Sequence, residues 1–238
     1  MAVKEYKYRK HSDKQRTMIL ETAKQLFMEN EIKDVSMAQI AEACGITRAT
    51  LYRYFENRDA VVWEIYLSYG ERMMDTLWGK IRGKKVSAYE KIAVYLRGMV
   101  DMYLEMPEFY KFFFHFSKEY LSNQIYPDTE YTRELYAETG LTSGSTVAYI
   151  TEDLKDGSVR EGLDERAVGV AVVYGAFGAL QIICGNSDVI PLKYGVDAVK
   201  VLVSAMENIL RGLKHEAYHS QLAEHIWDDL KAAHVDFP

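Results

Sequence analysis

Apolar residues recur at helical spacing between Val35 and Trp63 and predict two short helices joined by a turn. The apolar positions of the first helix follow i, i+3, i+4, i+7 spacing: Met37, Ile40, Ala41 and Cys44. Ser36 and Gln39 have the spacing of a capping box, so the first helix is expected to begin after Ser36. Gly45 can adopt the left-handed conformation that ends a helix. The pattern predicts a helix-turn-helix.

The second helix of the pair has a polar outer face. Thr47 is its predicted N-cap, and Leu51 with Phe55 forms its buried stripe. The remaining positions are exposed or flank the exposed face: Arg48, Ala49, Thr50, Tyr52, Arg53 and Tyr54. Small, hydroxyl, guanidinium and phenol groups on one helix are typical of a helix that reads DNA in the major groove. An ordinary amphipathic helix pair in an all-α protein is the alternative.

The segment before this pair is basic. Residues 1–20 hold six basic and two acidic groups, interleaved with two tyrosines. A basic arm beside a helix-turn-helix favours phosphate contacts, and Lys10 is the arm residue that we assign to DNA. Ser12 and Gln15 have the spacing of a second capping box, followed by apolar residues at helical spacing. A third helix is therefore predicted to begin after Ser12 and to complete a three-helix DNA-binding head.

Three linked segments within residues 19–62 resemble, in order and spacing, the N-terminal pattern of the TetR/AcrR family of bacterial transcriptional repressors. They read ILETAKQLF, SMAQIAEACGITRATLYRYF and ENRDAVV. The resemblance implies an N-terminal DNA-binding domain and a larger helical domain that dimerises and binds an effector. It also implies that the effector releases the protein from its operator.

Position by position, the resemblance assigns DNA contacts to Ser36, Thr47, Arg48, Thr50, Tyr52, Tyr54 and Arg58. Arg58 stands where lysine is more usual and keeps the positive charge. Glu31 stands where the family usually has glycine after the first helix, so Asn30 is expected to take the left-handed position instead. The operator sequence does not follow from these residues.

Composition is compatible with this architecture. The chain has 238 residues, four prolines and a net charge of −6, so its basic character is confined to one end. Cys44 and Cys184 lie in apolar helical contexts, which favours a reducing cytosol over a disulfide framework. The basic N-terminus lacks a following apolar stretch, so secretion is not expected and the predicted location is cytoplasmic. No cofactor is predicted.

An aromatic segment at residues 103–116 suggests an apolar effector site. Four of its phenylalanines follow one helical stripe and are also compatible with simple core packing. The residues that we assign to effector binding are Tyr103, Tyr110, Phe113, Phe114, Phe116, Tyr174 and Phe177.

Residues 167–187 contain no charged side chain and are long enough to be a transmembrane candidate. Their glycines and alanines, with Tyr174 and Gln181, instead favour a buried helix that another backbone can approach closely. Together with the apolar segment 193–213, the helix over 165–185 is predicted to form a two-fold four-helix interface between two copies, without membrane insertion.

A histidine motif near the C-terminus points to a different function. His215 to His219 spell HExxH, and His225 has the spacing of a third zinc ligand in metzincin proteases. Leu222 replaces the glycine that such enzymes use for the turn, and on a continuous helix the three imidazoles do not converge. We therefore interpret the motif as a polar C-terminal helix and predict no metal site and no enzyme.

The sequence thus predicts an all-α protein with a three-helix DNA-binding head over residues 1–57 and a helical ligand-binding and dimerisation domain over 58–238. The predicted function is a homodimeric DNA-binding regulator, a repressor released from a palindromic site in double-stranded DNA by a small apolar effector. The alternatives are a DNA-binding dimer without ligand control and, more remotely, a zinc hydrolase.

Overall fold

The computed structural model describes residues 2–121, 123, 129–130, 133–134 and 143–233, with side chains from Lys14 onward except those of residues 71 and 143–145. This part of the chain is helical and contains no β-strand, although one antiparallel bridge pairs Val159 with Lys214. The predicted all-α class is confirmed.

Thirteen α-helices lie within the described residues: α1 (Ala2–Glu29), α2 (Met37–Ala43), α3 (Arg48–Tyr52), α4 (Arg58–Ser68), α5 (Gly70–Trp78), α6 (Ala88–Glu105), α7 (Pro107–Phe116), α8 (Ser143–Thr151), α9 (Glu165–Cys184), α10 (Val189–Tyr194), α11 (Ala198–Arg211), α12 (Gln221–Glu224) and α13 (Asp228–Ala233). Short 3₁₀ turns occupy Ile32–Asp34 and Gly79–Ile81, and one π-helical turn occupies Ser117–Leu121.

The chain divides into two compact units. The first unit comprises Met1–Glu71 and Pro107–Gly140, and the second comprises Arg72–Met106 and Leu141–Pro238. This grouping does not coincide with the predicted boundary after residue 57. The difference arises because α4 is buried almost throughout and packs with α1 and α7 in the first unit.

The core of the first unit is aromatic. Trp63 of α4 packs edge to face against Phe116 of α7, with 5.0 Å between the ring centres. Tyr66 stacks on the same phenylalanine, with 4.3 Å between the ring centres. Phe27 of α1 approaches Phe112 at 6.4 Å. These rings bury large apolar areas and fix α7 against the N-terminal helices.

Two predictions about α1 are wrong. The helix begins at Ala2, so Ser12 lies inside it and is not an N-cap. Asn30 has a negative φ, since Asp153 is the one non-glycine residue with positive φ in the described part of the chain. The N–H and the side-chain amide of Asn30 both donate to the carbonyl of Leu26, so the helix ends without a left-handed residue.

In the second unit, α9 packs against α6, α8 and α11. Gly169 permits the close approach of α8, because a Cβ atom there would lie 2.4 Å from Cγ2 of Thr151. The side of α9 that carries Gly169 therefore packs against α8 within the unit.

A buried arginine ties the C-terminal segment to α6 in the same unit. Arg97 donates from Nε to Asp101 at 2.6 Å and from its two terminal nitrogens to Asp229 at 2.6 and 2.7 Å. The bidentate guanidinium of Arg97 lowers the pKa of Asp229 to about 2.

Candidate nucleic-acid interface

The helix-turn-helix has the predicted caps. The N–H of Gln39 donates to Ser36 Oγ at 3.3 Å, and the N–H of Ser36 donates to Gln39 Oε1 at 2.8 Å. Both halves of the capping box are therefore present at the start of α2. Met37, Ile40 and Ala41 are buried, in agreement with the predicted stripe.

The turn between α2 and α3 depends on Gly45, which has a φ of +63°, as predicted. The N–H of Ile46 then donates to the carbonyl of Ala41 at 3.0 Å, which closes the turn. Thr47 caps α3 by accepting from the N–H of Thr50 at 3.1 Å. Leu51 is fully buried and holds the short helix on the unit.

The outer face of α3 is open to solvent. Tyr52 is 53% exposed, and Thr47, Arg48, Ala49 and Arg53 are also exposed. This face carries two guanidinium groups, a phenol and a hydroxyl, which can donate hydrogen bonds to base edges and phosphates. The burial pattern agrees with the helical face that the sequence assigned to DNA, while the contacts themselves stay a prediction.

Tyr54 lies at the inner edge of this face. Its hydroxyl donates to Gln15 Oε1 of α1 at 3.4 Å, and its carbonyl accepts from Arg16 at 2.9 Å. Tyr54 is half-buried and joins the end of the helix-turn-helix to α1. Its hydroxyl is thus directed to a protein partner, and its predicted DNA contact stays a prediction.

Arg16, which the sequence placed in the basic arm, is half-buried and has protein partners. Its Nε donates to Glu64 Oε1 at 2.6 Å, and a second nitrogen of the guanidinium also bonds the carboxylate of Glu64. The guanidinium carbon lies 4.4 Å from the centre of the Phe55 ring. Glu64 is buried, so this pair joins α1 to α4 and leaves the arm's phosphate contacts to other residues.

The sequence patterns did not predict a role for Glu64 as the partner of Arg16. A single acidic residue inside the apolar run VVWEIYL of α4 was the available signal, because a buried carboxylate requires a partner.

Arg58 also has protein partners. Its guanidinium donates to the carbonyls of Ile32 and Lys33, at 3.3 and 3.0 Å. These bonds anchor the N-terminal end of α4 to the 3₁₀ turn before α2 and leave the guanidinium half-buried. The predicted DNA contact of Arg58 stays a prediction, and the side chain of Lys10 lies outside the described residues.

The seven residues assigned to an effector site are divided between the two units. Tyr110, Phe113, Phe114 and Phe116 belong to the first unit, where all except Phe114 are buried in the aromatic core. The other three belong to the second unit: Tyr103, Tyr174 and Phe177. The structure therefore supports the core reading for most of the α7 aromatic residues.

Within the second unit these residues have different environments. Tyr174 is 64% exposed on the outer side of α9, whereas Tyr103 is half-buried near Cys184 and burial raises its pKa. Burial likewise raises the pKa of the Cys184 thiol to about 12. None of the seven residues lines either of the two surface grooves described in this unit, of about 390 and 270 Å³.

The HExxH motif does not lie on a helix. Residues 212–220 form turns and extended chain between α11 and α12, so the predicted polar helix is wrong over this motif. His215 Nδ1 accepts from the N–H of Ala217 at 3.2 Å, and His219 Nδ1 lies 3.3 Å from Glu224. His225 pairs with Asp228 at 2.7 Å. No group of three potential metal ligands converges within the described residues.

Helix α9 is long and apolar enough to span a membrane by length and composition alone. Within the chain, 39% of its most apolar stretch of 18 residues is buried. One side is buried at Val168, Val172 and Ala176. The opposite side carries a mostly small and apolar exposed stripe, which we call the outer stripe: Ala167, Val170, Ala171, Tyr174, Gly175, Gly178 and Ile182. The helix thus has one apolar side packed within the unit and another that is exposed.

Comparison with known proteins identifies the N-terminal region. Residues 19–65 match the family model described as bacterial regulatory proteins, tetR family. This match places the N-terminal region, residues 19–65, in the TetR family. The match spans the end of α1, the helix-turn-helix and most of α4, and it confirms the resemblance seen in the sequence.

Curated relatives share this TetR-family region. The chain is 35% identical over 68 residues to the HTH-type transcriptional regulator UidR of Escherichia coli K12, covering 29% of this chain and 35% of UidR. It is 34% identical over 67 residues to the HTH-type transcriptional repressor KstR2 of Rhodococcus jostii, covering 28% and 31%. The aligned part thus spans about a third of the length of these two relatives.

Solved structures extend the likeness of the fold over most of the chain. NalD of Pseudomonas aeruginosa, a secondary repressor of a multidrug efflux pump, matches with a TM-score of 0.62 and 19% identity over 86% of this chain and 99% of NalD. The ketosteroid regulator KstR2 of Mycobacterium tuberculosis matches with a TM-score of 0.59 and 15% identity, covering 84% and 95%. These two proteins are named as a transcriptional regulator and a repressor.

Proposed function

We propose that this chain is a cytoplasmic, homodimeric transcriptional repressor that binds a palindromic site in double-stranded DNA. The observation that carries the proposal is the exposed polar face of α3 on a fully capped helix-turn-helix of the TetR family. Two such helices, related by a two-fold axis and separated by about 34–36 Å, reach successive major grooves. KstR2 and NalD, both named as repressors, support this sign of regulation.

The outer stripe of α9 supports the homodimer. Apolar side chains exposed along a whole helix require a second surface, and a two-fold partner can offer the same stripe in return. Small residues such as Ala171 and Gly178 allow the two backbones to approach closely. In this proposal α9 and α11 of each copy form a four-helix interface.

Release by an effector is the second part of the proposal. A ligand that binds better to a conformation with a different spacing of the two α3 helices must weaken DNA binding by that difference in affinity. The burial of Tyr110, Phe113 and Phe116 favours the alternative, a DNA-binding dimer without ligand control. A panel of apolar ligands that changes neither thermal stability nor operator affinity would select the alternative.

Selection of bound sequences from a random DNA pool at physiological salt tests DNA recognition. We expect a palindrome bound by two copies of the chain. Arg53→Ala is the test variant and Arg82→Ala, also an exposed arginine but in the second unit, is its matched control. Failure to enrich any sequence, or equal behaviour of the two variants on the selected site, would overturn the proposed interface.

A further inference from the structure

A short apolar segment projects after the C-terminal end of α9. Leu192 of α10 is 89% exposed, and Val189 and Tyr194 are exposed at 49% and 64%. We call these three residues the apolar knob. Gly195, with a φ of +64°, ends α10 directly behind them. A leucine exposed to this degree between two bundle helices gains stability only if another surface covers it.

An apolar groove of about 390 Å³ lies at the opposite end of the same helix. Its walls include Leu163 just before α9 and Ala167 in its first turn, with Ile209 near the end of α11 and Leu213 just after it. Arg160 and Asp164 stand at the groove as its charged residues. Ala167 also begins the outer stripe, so the groove is continuous with the surface that we assign to the dimer.

The knob cannot fill the groove of its own chain. Helix α9 has 20 residues and therefore separates its two ends by roughly 30 Å. The groove lies at the N-terminal end, whereas the knob follows the C-terminal end. A second copy with an antiparallel α9 brings the C-terminal end of its helix to the groove, and two-fold symmetry repeats the contact at the other end.

We propose that the apolar knob of each copy inserts into the groove at the start of α9 in the partner copy. This inference rests on the proposed homodimer and adds its direction: the two α9 helices run antiparallel. The segments also match in charge, since Asp188 and Lys193 flank Leu192 while the groove offers Arg160 and Asp164. The knob and the groove can therefore form pairs of opposite charge at the rim of the contact.

Cysteine cross-linking in the full chain tests the contact. Ala167→Cys and Leu192→Cys are combined in a background with Cys44→Ala and Cys184→Ala. The two new thiols are too distant to bond within one chain, because a disulfide requires Cα atoms within about 7 Å. We expect a covalent dimer on mild oxidation of the combined variant and none with either new cysteine alone. A covalent dimer of the Leu192→Cys variant alone would show knob against knob and overturn the proposal.

Equilibrium sedimentation of Leu192→Asp provides the second measurement. Burial of two leucines per dimer predicts that this change raises the dimer dissociation constant by about 100-fold or more. Leu222→Asp, at an exposed leucine of α12, is the control and should leave the constant unchanged. A wild-type chain that is monomeric would refute the homodimer itself. A dimeric wild type whose constant is unaffected by Leu192→Asp would refute only the knob and groove.

Discussion

Replacing Arg16 by methionine is expected to destabilise the protein. The number of contacts that the protein makes with DNA phosphates is expected to stay the same. The sequence places this arginine in a basic arm, where a DNA contact would be its role. The structure instead pairs it with Glu64, and the carbonyl of Tyr54 accepts from the same guanidinium. The two roles predict opposite outcomes for one substitution.

The size of the effect follows from burial. Two unit charges about 4 Å apart attract by about 4 kcal/mol at an effective dielectric constant near 20. Removing one member of a buried pair costs about 3–5 kcal/mol, because the remaining charge stays buried without compensation. Glu64 is 6% exposed, but 28% of the Arg16 side chain is exposed, so water moderates the loss. We expect Arg16→Met to lower the free energy of unfolding by about 3 kcal/mol.

Urea unfolding of the full chain measures this loss as a lower midpoint at constant slope. Arg48→Met is the matched control, because Arg48 is exposed on α3 and its loss should change stability by less than about 0.5 kcal/mol. The double variant Arg16→Met with Glu64→Leu should recover most of the loss, since an apolar pair leaves no buried charge.

The salt dependence of DNA affinity distinguishes the two roles further. Each phosphate contact contributes about 0.9 to the slope of log affinity against log salt. We expect Arg16→Met, measured below its unfolding temperature, to keep the wild-type slope. A variant with wild-type stability and a slope reduced by about one would show that Arg16 contacts phosphate, and our interpretation of the pair would be wrong.

Three further changes have defined outcomes. Arg53→Ala should cost about 1–3 kcal/mol on the selected operator and relax its specificity, measured by competition with single-base variants of the site. Thr47→Ala removes the N-cap of α3 and should lower stability by about 1 kcal/mol in thermal unfolding, with Thr47→Ser restoring it. Asp229→Asn should cost about 1 kcal/mol at pH 7, a figure discounted for the exposed carboxylate. Because Arg97 lowers the pKa of Asp229, this difference should be complete above about pH 5 and shrink as pH falls from about 4 toward 2. A difference that stays constant down to pH 3 would contradict that assignment.

The helix-turn-helix could be predicted because its signals are local. Ser36 caps α2 with a residue three positions away, and Gly45 supplies a conformation that its neighbours cannot adopt without cost. Ser87 and Glu90, also three positions apart, form a capping box at the start of α6, and Pro107, with its fixed φ, opens α7. Each of these features depends on a few consecutive residues, which the sequence displays directly.

Predictions that depended on distant partners were less successful. The partner of Arg16 is 48 residues away, and the carbonyls that bind Arg58 are 25 and 26 residues away. Charge counts along the chain treat such arginines as free cations. The prediction of a helix over the HExxH motif was wrong for a related reason. The N–H of His215 donates to the carbonyl of Ser158 at 3.1 Å, and this long-range bond holds the segment out of a helix.

Helix α9 shows what exposure adds to periodicity. A helix that is apolar on all sides fits a membrane span, a buried core helix or a helix shared between two copies, and its sequence satisfies all three descriptions. In the structure the two sides of this helix differ in burial. Val172 and Leu180 are buried, whereas Tyr174 and Ile182 are 64% and 67% exposed. One side therefore already has a protein partner, which a helix surrounded by lipid would not require. The exposed side begins at a groove and is followed by a knob that its own chain cannot use, so a second copy of the chain satisfies both features with one symmetric contact.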